Sequence, residues 1–293
     1  AIEEQLAKGK AMLAGRLFGF QNWLRSPEGR RAPAWEAQRR LTLLRMRFNA
    51  VLSQFDIFSD VLTQRSEHGY GVWLAGLDIL ARDGLRLPAA YCQVPPVVCY
   101  LDRGHGAAIR RARTRLPGGD KNPVAVIRVP RERMVGNGIA ASLLHEVGHQ
   151  ACILLGLVES LRSVLHGLQR KGGPGRLAWR IWERWLSEIL ADFWALSLLG
   201  VSATLGVMGV MSLPRAFVFR VSLDDPHPFP WIRAYLSCVF GAALYPHPQW
   251  AALARLWECF YPLDRLDSAK RELIGLLQAT SPTLVALIIH HRP

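Results

Sequence analysis

The stretch GIAASLLHEVGHQACILLG, residues 138–156, is the part of the sequence that says most about the fold. Its apolar residues recur three and four positions apart, which predicts one buried helix. His145 and His149 stand four residues apart on that helix, so both imidazoles fall on one face and can reach one metal ion. Glu146 is offset toward a water molecule at such an ion. A chain with nine histidines has a chance expectation of about 0.01 HExxH matches, so accident is a poor explanation.

A second stretch, LAWRIWERWLSEILADFWALSLL at residues 177–199, places two carboxylates inside an apolar sequence. Its periodicity predicts a single helix after the loop KGGPG. Glu188 and Asp192 share one face of that helix, and burying them among tryptophan and leucine side chains would be costly without a cation. Two histidines and a glutamate are an established ligand set for catalytic zinc, so Glu188 is the predicted third ligand. Asp192 is suited to hold a ligand histidine through a hydrogen bond.

These residues resemble the gluzincin metallopeptidases, in which HExxH is followed on a later helix by ExxxD. The likeness is greatest to the family of the CAAX prenyl endopeptidases and the HtpX heat-shock proteases, which carry ExxAD and then HPxxxxR. Here ExxAD runs from Glu188 to Asp192 and HPxxxxR from His227 to Arg233, and the three motifs come in the same order. The resemblance covers roughly residues 120–235.

The resemblance implies a zincin-like fold and a role for each motif residue. It implies that His145, His149 and Glu188 bind zinc, that Glu146 is the general base, and that Asp192 orients a ligand histidine.

The third motif is implied to serve the transition state, with His227 and Arg233 near the substrate oxyanion. Two alternatives stay open for this pair. His227 could be a turn histidine between prolines, and Arg233 could form a structural ion pair with an acidic residue, namely Asp192, Asp224 or Asp225. The alternatives differ in what removal of the side chain would change, turnover or stability.

Outside these motifs the sequence predicts a mainly helical α+β fold. Residues 1 to about 85 repeat apolar positions at helical spacing. Two short β-branched runs bounded by proline, glycine or aspartate, at 96–101 and 123–130, predict a small sheet. The predicted organisation is an N-terminal helical region, residues 1–87, and a zincin-like metallopeptidase domain with an active-site helix and C-terminal helices, residues 88–293.

One apolar run, residues 193–213, has no charged residue over 21 positions. As a single helix it would be about 31 Å long, enough to cross a bilayer. Gly200, Gly206 and Gly209 interrupt it and Asp192 directly precedes it. A buried core segment is therefore favoured, and membrane association through this run stays the alternative.

The chain is strongly positive, because 36 basic residues against 23 acidic ones leave a formal charge of +13. Such a surface favours acidic partners, and nucleic acid or anionic lipid would both qualify, but no nucleic-acid-binding motif is found. Five cysteines without a CxxC pair favour a reducing compartment, so the predicted location is the cytoplasm. His105, His290 and His291 are predicted as surface residues.

Together these features predict a zinc-dependent endopeptidase that acts on a protein or peptide substrate. Val124 to Val129 is predicted as the edge strand along which an extended substrate pairs. One alternative is a non-catalytic scaffold stabilised by zinc, although such a site does not need Glu146. Another is a peptidase that cleaves a DNA-bound regulator, which the positive charge would suit. A third is an intramembrane protease, which the run at 193–213 would suit.

Overall fold

The computed structural model describes residues 1–66, 68–86, 93–103, 106–131, 137–173, 175–222 and 224–292. The predicted surface position of His105 lies outside these residues. The chain is mainly helical with a small three-stranded sheet, so the predicted α+β, mainly helical class is confirmed. The strands are β1 (Val97–Asp102), β2 (Ala108–Arg110) and β3 (Ala125–Pro130). The helices are α1 (Ile2–Arg25), α2 (Pro27–Arg31), α3 (Ala34–Ser66), α4 (His68–Gly84), α5 (Asn137–Leu154), α6 (Leu157–Arg170), α7 (Arg176–Arg184), α8 (Leu186–Leu199), α9 (Val201–Met211), α10 (Arg215–Val218), α11 (Pro230–Leu244), α12 (Pro248–Phe260) and α13 (Ser268–His290).

The described residues divide into two compact units that are interleaved along the chain. The first unit comprises Ala1–Asp78, Pro95–Tyr100 and Arg110–Val126, and the second comprises Ile79–Val94, Leu101–Ile109 and Ile127–Pro293. All three strands cross a unit boundary and contribute residues to both units. The single boundary expected between residues 87 and 88 stays a prediction about folding domains.

The core of the first unit lies where the start of α1 meets the end of α3. Apolar side chains at helical spacing on these two helices are buried together with residues near the strands, and the cluster consists of Ile2, Leu6, Phe58, Val61, Leu116, Val124 and Val126. Arg65 on α3 binds Asp78 on α4 through both carboxylate oxygens, at 2.6 and 3.1 Å. The same guanidinium donates to the Cys99 carbonyl, and the Cys99 N–H donates to Asp78, so α3, α4 and β1 are tied together.

In the second unit α5, α8, α9 and α11 pack against one another. Buried and half-buried indoles of this unit are hydrogen-bonded, because an indole N–H removed from water without a partner has a large desolvation cost. Trp194 on α8 donates to the Gly84 carbonyl at 2.9 Å, and Trp182 on α7 donates to the Thr280 hydroxyl on α13 at 2.9 Å. The first of these contacts holds α8, the helix that carries the two motif carboxylates, and the second holds α7.

The prediction of one helix over residues 177–199 is wrong. The structure has two helices, α7 and α8, joined at Trp185, which has φ −93° and ψ 3°. The Trp185 side chain is fully buried, its indole donates to the Asp225 carbonyl at 3.3 Å, and its ring meets Phe229 edge to face. Tertiary contacts of this one indole therefore override a helical periodicity that runs unbroken through it.

The strand predictions at 96–101 and 123–130 are confirmed by β1 and β3, but the predicted place of the second strand is wrong. The order in the sheet is β1-β3-β2, so β3 is the central strand and cannot be an edge for substrate. The neighbour that covers it is β2, only three residues long and without the β-branched signature of a strand. The edges of this sheet are β1 and β2.

The apolar run at 193–213 does not form one helix, because α8 ends at Leu199 and Gly200 takes φ 58° and ψ −133° before α9 begins. Within the residues that the structure describes, one helix, Ser268–His290, is long and apolar enough to cross a membrane. A bent pair, Ala140–Leu154 with Leu157–Arg170, would add a second if it were one span. Core helices of soluble proteins have the same length and composition, so these features alone do not indicate a membrane protein. Membrane association through 193–213 stays a prediction.

Candidate metal centre

The helix α5 presents its two motif histidines from successive turns. The rings of His145 and His149 are 4.8 Å apart between centroids and nearly perpendicular, at 85°. An i, i+4 spacing puts the two side chains on one face, one above the other, as the sequence predicts. The face is turned toward α8.

Glu188 on α8 reaches both histidines with its two carboxylate oxygens. The Nε2 atom of His145 is 3.2 Å from Oε2, and the Nε2 atom of His149 is 3.4 Å from Oε1. Ligand atoms held about 2.1 Å from a tetrahedral ion lie about 3.4 Å from one another, so these separations fit a metal site. All the donor atoms lie within 4.8 Å of one another, and the group could hold a metal ion.

The close approach of α5 and α8 depends on Gly148, inside the HExxH motif. A Cβ atom at this position would lie 2.9 Å from Ala191 Cα, 2.9 Å from Trp194 Cβ and 3.0 Å from the Ala191 carbonyl. Real Cβ contacts to backbone atoms are not that short, so any larger residue would push the helices apart. Glycine at this position is therefore what lets Glu188 sit within reach of the two histidines.

Behind the histidines lies a chain of charged groups whose side chains are only 12 to 13% exposed. The Nδ1 atom of His145 is 2.7 Å from the Asp192 carboxylate, which leaves Nε2 directed at Glu188. Arg233 on α11 donates to both oxygens of Asp192, through Nε at 2.6 Å and Nη2 at 2.7 Å. His149 has a second partner of its own, because its Nδ1 atom is 3.4 Å from the Ser187 hydroxyl. Such partners fix the orientation and tautomer of ligand histidines.

The pKa values of this chain show strong mutual stabilisation of charge. Burial lowers the pKa of His145, but the charge and hydrogen bond of Asp192 outweigh this effect and raise the pKa to about 9. Burial raises the pKa of Asp192, but Arg233 and His145 outweigh it and hold the pKa well below its usual range. The pKa of Glu188 is likewise lowered, because hydrogen bonds and charge from both histidines outweigh its burial. The metal-free site is therefore an ionised network, not a set of neutral groups.

Glu146 is buried beside the histidines and differs from the other two acids in its electrostatics. Its pKa is raised, chiefly because burial disfavours the charged form. It lines the same cavity as His145, Glu188 and Asp192. A carboxylate with a raised pKa is a better proton acceptor, which is the property a general base needs.

His227 lies in the loop before α11 and is half-exposed, with its Nε2 atom 3.5 Å from Oε2 of Glu188. Its Nδ1 atom is 2.7 Å from the Asp225 carboxylate, and its backbone N–H also donates to Asp225 at 2.9 Å. Asp225 therefore fixes the ring so that Nε2 faces the metal centre. The sequence signal for this role was present, since Asp225 stands two residues before His227, a spacing at which an aspartate readily accepts hydrogen bonds from the backbone that follows it.

A cavity of about 230 Å³ opens in front of the centre. Its walls come from the motif residues, from Ala141 and Ser142 on α5, from Gly106 and Ala107 just before β2, and from the α9 residues Gly206, Val207, Val210 and Met211. The lining away from the motif residues is small and apolar. Neither α9 nor the segment before β2 carries a motif, so sequence patterns did not point to them.

The structure brings the residues singled out from the sequence to one place, namely His145, Glu146, His149, Glu188, Asp192, His227 and Arg233. For Arg233 the two bonds to Asp192 favour the ion-pair alternative, with Asp192 as the partner. Its role at an oxyanion stays a prediction.

Comparison of the chain with family models, with curated proteins and with solved structures finds no match.

Proposed function

We propose that this chain is a zinc-dependent endopeptidase of the gluzincin type, with a zincin-like core around α5 and α8. The observation that carries the proposal is the fit of His145, His149 and Glu188 to a tetrahedral ion, with Glu146 buried beside them. A site that only stabilises the fold needs the three ligands and has no use for a fourth, proton-accepting carboxylate at the cavity. Two imidazoles and one carboxylate are also the donor set of catalytic zinc with a position left for water or substrate.

The chemistry divides between the ion and the side chains around it. Zinc held by His145, His149 and Glu188 would lower the pKa of a water toward neutrality and polarise the scissile carbonyl. Glu146 takes the proton of the attacking water and passes it to the leaving amine. Its buried position, which raises its pKa, suits both transfers.

His227 is placed to donate a hydrogen bond to the developing oxyanion. Its Nδ1–H donates to the Asp225 carboxylate, so Nε2 faces the cavity beside Glu188, and in the doubly protonated ring Nε2 carries the proton that the oxyanion would accept. A preorganised donor of this kind stabilises charge that appears only in the transition state. Arg233 acts indirectly, because its guanidinium is hydrogen-bonded to Asp192, which in turn holds His145. It therefore serves as a positioning residue for His145.

The surroundings of the centre favour an extended peptide with a small or apolar side chain beside the scissile bond. The α9 wall is made of glycine, valine and methionine, and a cavity of about 230 Å³ admits a side chain of modest size. The edge strand β2 begins at Ala108, directly after the two residues that line the cavity. Its unpaired edge offers main-chain groups to a substrate strand, the role first predicted for Val124 to Val129.

The test compares wild type with Glu146→Gln, Glu188→Gln and, as a control, Glu159→Gln on the exposed side of α6. Metal content is measured by elemental analysis, and cleavage by mapping new N-termini in a peptide library and in cells. We expect wild type and Glu159→Gln to hold one zinc and to cleave, Glu146→Gln to hold zinc without cleaving, and Glu188→Gln to lose zinc. Zinc without any cleavage by wild type would favour the scaffold alternative, and full zinc content in Glu188→Gln would contradict the ligand assignment.

A further inference from the structure

The distal hairpin, which we define as residues 10–50, is built unlike the rest of the first unit. It contains most of α1, the whole of α2 and the first half of α3. Every residue in it is described, and none is buried. Buried residues of α1 and α3 occur only outside it, for example Leu6 on α1 and Phe58 on α3. The two helices therefore extend past the core of their unit.

Large apolar side chains are exposed along this hairpin. Nine of them are exposed between residues 10 and 50, and three are nearly two-thirds exposed, with Phe18 at 63%, Trp35 at 66% and Met46 at 63%. On α3 the exposed Leu41 and Phe48 of the hairpin are followed by the exposed Leu52 and Phe55 just beyond it, at intervals of seven, four and three residues. That spacing places them on one helix face as a continuous apolar stripe. Soluble monomers rarely expose such a patch unless something binds to it.

The same hairpin carries a large positive charge. Residues 10–50 contain nine lysines and arginines and only two acidic residues, Glu28 and Glu36. Both acidic residues pair with Arg40, at 3.6 and 2.8 Å, and Arg40 also stacks over Trp23 at 4.0 Å. Both acidic residues of the hairpin are thus paired with one arginine. The charges of its other lysines and arginines are not neutralised by them.

A groove between α1 and α3 brings arginines and aromatic rings together. It has a volume of about 350 Å³, and Arg16, Arg40 and Arg47 line it beside Phe20 and Trp23. The occupant of this face must therefore offer anionic groups and apolar surface at once. A second copy is disfavoured because two hairpins of the same high charge repel each other. Nucleic acid offers phosphates and base faces but nothing for exposed leucine and methionine side chains.

An anionic bilayer surface has both properties, since its headgroups meet arginines and its acyl region accepts leucine, methionine, phenylalanine and tryptophan side chains. We propose that the distal hairpin binds the surface of membranes that contain anionic lipid. This inference rests on residues of the first unit and does not depend on the proposed peptidase activity. The apolar stripe of Leu41, Phe48, Leu52 and Phe55 enters the membrane–water interface, and the arginines contact lipid headgroups.

The test is sedimentation of the full chain with vesicles of phosphatidylcholine alone and with 30% phosphatidylglycerol. The apolar variant is Leu41→Ser, Phe48→Ser and Leu52→Ser, and its control changes equally exposed residues of the second unit, Leu198→Ser, Leu256→Ser and Phe260→Ser. The charge variant is Arg16→Gln, Arg39→Gln and Arg45→Gln, and its control is Arg255→Gln, Arg265→Gln and Arg271→Gln. Circular dichroism melts establish that each variant is folded, as expected for exposed positions.

Wild type is expected to bind the anionic vesicles at least about tenfold more tightly than the neutral ones, with binding weakened at high salt. The affinity for anionic vesicles should fall at least about tenfold in both hairpin variants and less than about twofold in both controls. Equal binding to the two vesicle types would overturn the proposal, as would equal losses in the controls. Displacement by millimolar inorganic phosphate, or tighter binding to a short single-stranded RNA than to vesicles, would also overturn it, since a lipid surface would then not be the preferred ligand.

Discussion

The candidate metal centre and the distal hairpin depart from the usual distribution of side chains in opposite directions. At the centre, acidic, basic and imidazole side chains, most of them only 11 to 14% exposed, lie among buried tryptophan, leucine and alanine side chains of the second unit. In the hairpin, leucine, phenylalanine and tryptophan side chains are exposed among arginines. A buried charge and an exposed apolar stripe both have a free-energy cost that a binding partner can offset. The first points to a small cation and the second to an extended surface.

The two regions also differ in how strongly their residues are linked to one another. Apart from Glu146, each charged or imidazole group of the centre has a hydrogen-bond or ion-pair partner at 2.6 to 3.5 Å, so one substitution disturbs several others. The apolar residues of the hairpin stripe are linked by spacing on a helix and not by a shared network. We therefore expect large, coupled effects at the centre and small, additive effects in the hairpin.

The largest effect is expected for Asp192→Asn. The change leaves the Arg233 guanidinium buried without its anion and removes the charge that holds His145, so the metal-free protein should lose about 3–5 kcal/mol of unfolding free energy. Metal affinity should fall by about 10- to 100-fold. Urea denaturation and competition with a chelator measure the two quantities. Asp102→Asn, which breaks a half-exposed pair with Arg128, is the control and should cost less than about 1 kcal/mol.

The next effect concerns turnover and depends on the proposed function. Because His227 is half-exposed, His227→Ala should leave folding and metal content intact while lowering kcat by about 10²- to 10³-fold, as for one oxyanion donor. Asp225→Asn, which only loosens the ring of His227, should lower kcat less. Steady-state kinetics beside zinc analysis measure this. Near-normal turnover in His227→Ala would leave the histidine of the HPxxxxR match without a catalytic role.

The pH dependence of the metal-free protein tests the electrostatics of the centre. The pKa of His145 rises from 6.5 in the unfolded chain to about 9 in the fold, so its contribution is complete below pH 6.5 and is lost as the pH rises through 9. The loss should be at most about 3 kcal/mol. Thermal melts of the metal-free protein between pH 6 and 10 should show it, and melts of Asp192→Asn should not.

Metal binding should show the opposite trend over the same range. A ligand histidine must be deprotonated, so His145 has to lose its proton when metal binds below pH 9. Metal affinity should therefore rise by about tenfold per pH unit up to about pH 9. A flat affinity profile in chelator competition would mean that Asp192 does not hold a charged His145 in the metal-free protein.

A smaller effect is expected where α5 and α8 meet. Gly148→Ala adds a Cβ atom 2.9 Å from Ala191 Cα, so the helices must separate, at about 1–3 kcal/mol of unfolding free energy. Gly167→Ala on α6 is the matched control, because nothing lies within 4 Å of its Cβ position. That control should stabilise the protein by up to about 1 kcal/mol through helix propensity. Equal stability of both variants would show that the approach of the helices does not depend on Gly148.

The sequence sufficed to predict which side chains of the candidate metal centre share a helix face, because that geometry is local on each helix. Spacing of four residues places His145 with His149, and Glu188 with Asp192, whatever the rest of the chain does. The break at Trp185 and the pairing of β2 with β3 could not be predicted, because both arise from contacts between residues far apart in sequence. The choice of Asp192 among three acids as the partner of Arg233 is of the same kind, since only the fold brings α8 to α11.

The smallest effect is the one that separates the hairpin from the core most directly. Phe48 and Phe58 lie on the same helix, α3, but the first is 49% exposed and the second fully buried. In water without lipid, Phe48→Ser should change the unfolding free energy by no more than about 0.5 kcal/mol, whereas Phe58→Ser should cost about 3–5 kcal/mol or more. Urea denaturation of the two variants measures this difference. If Phe48→Ser cost as much as Phe58→Ser, the stripe would be part of the packing of its own unit, and its exposure would no longer call for a partner.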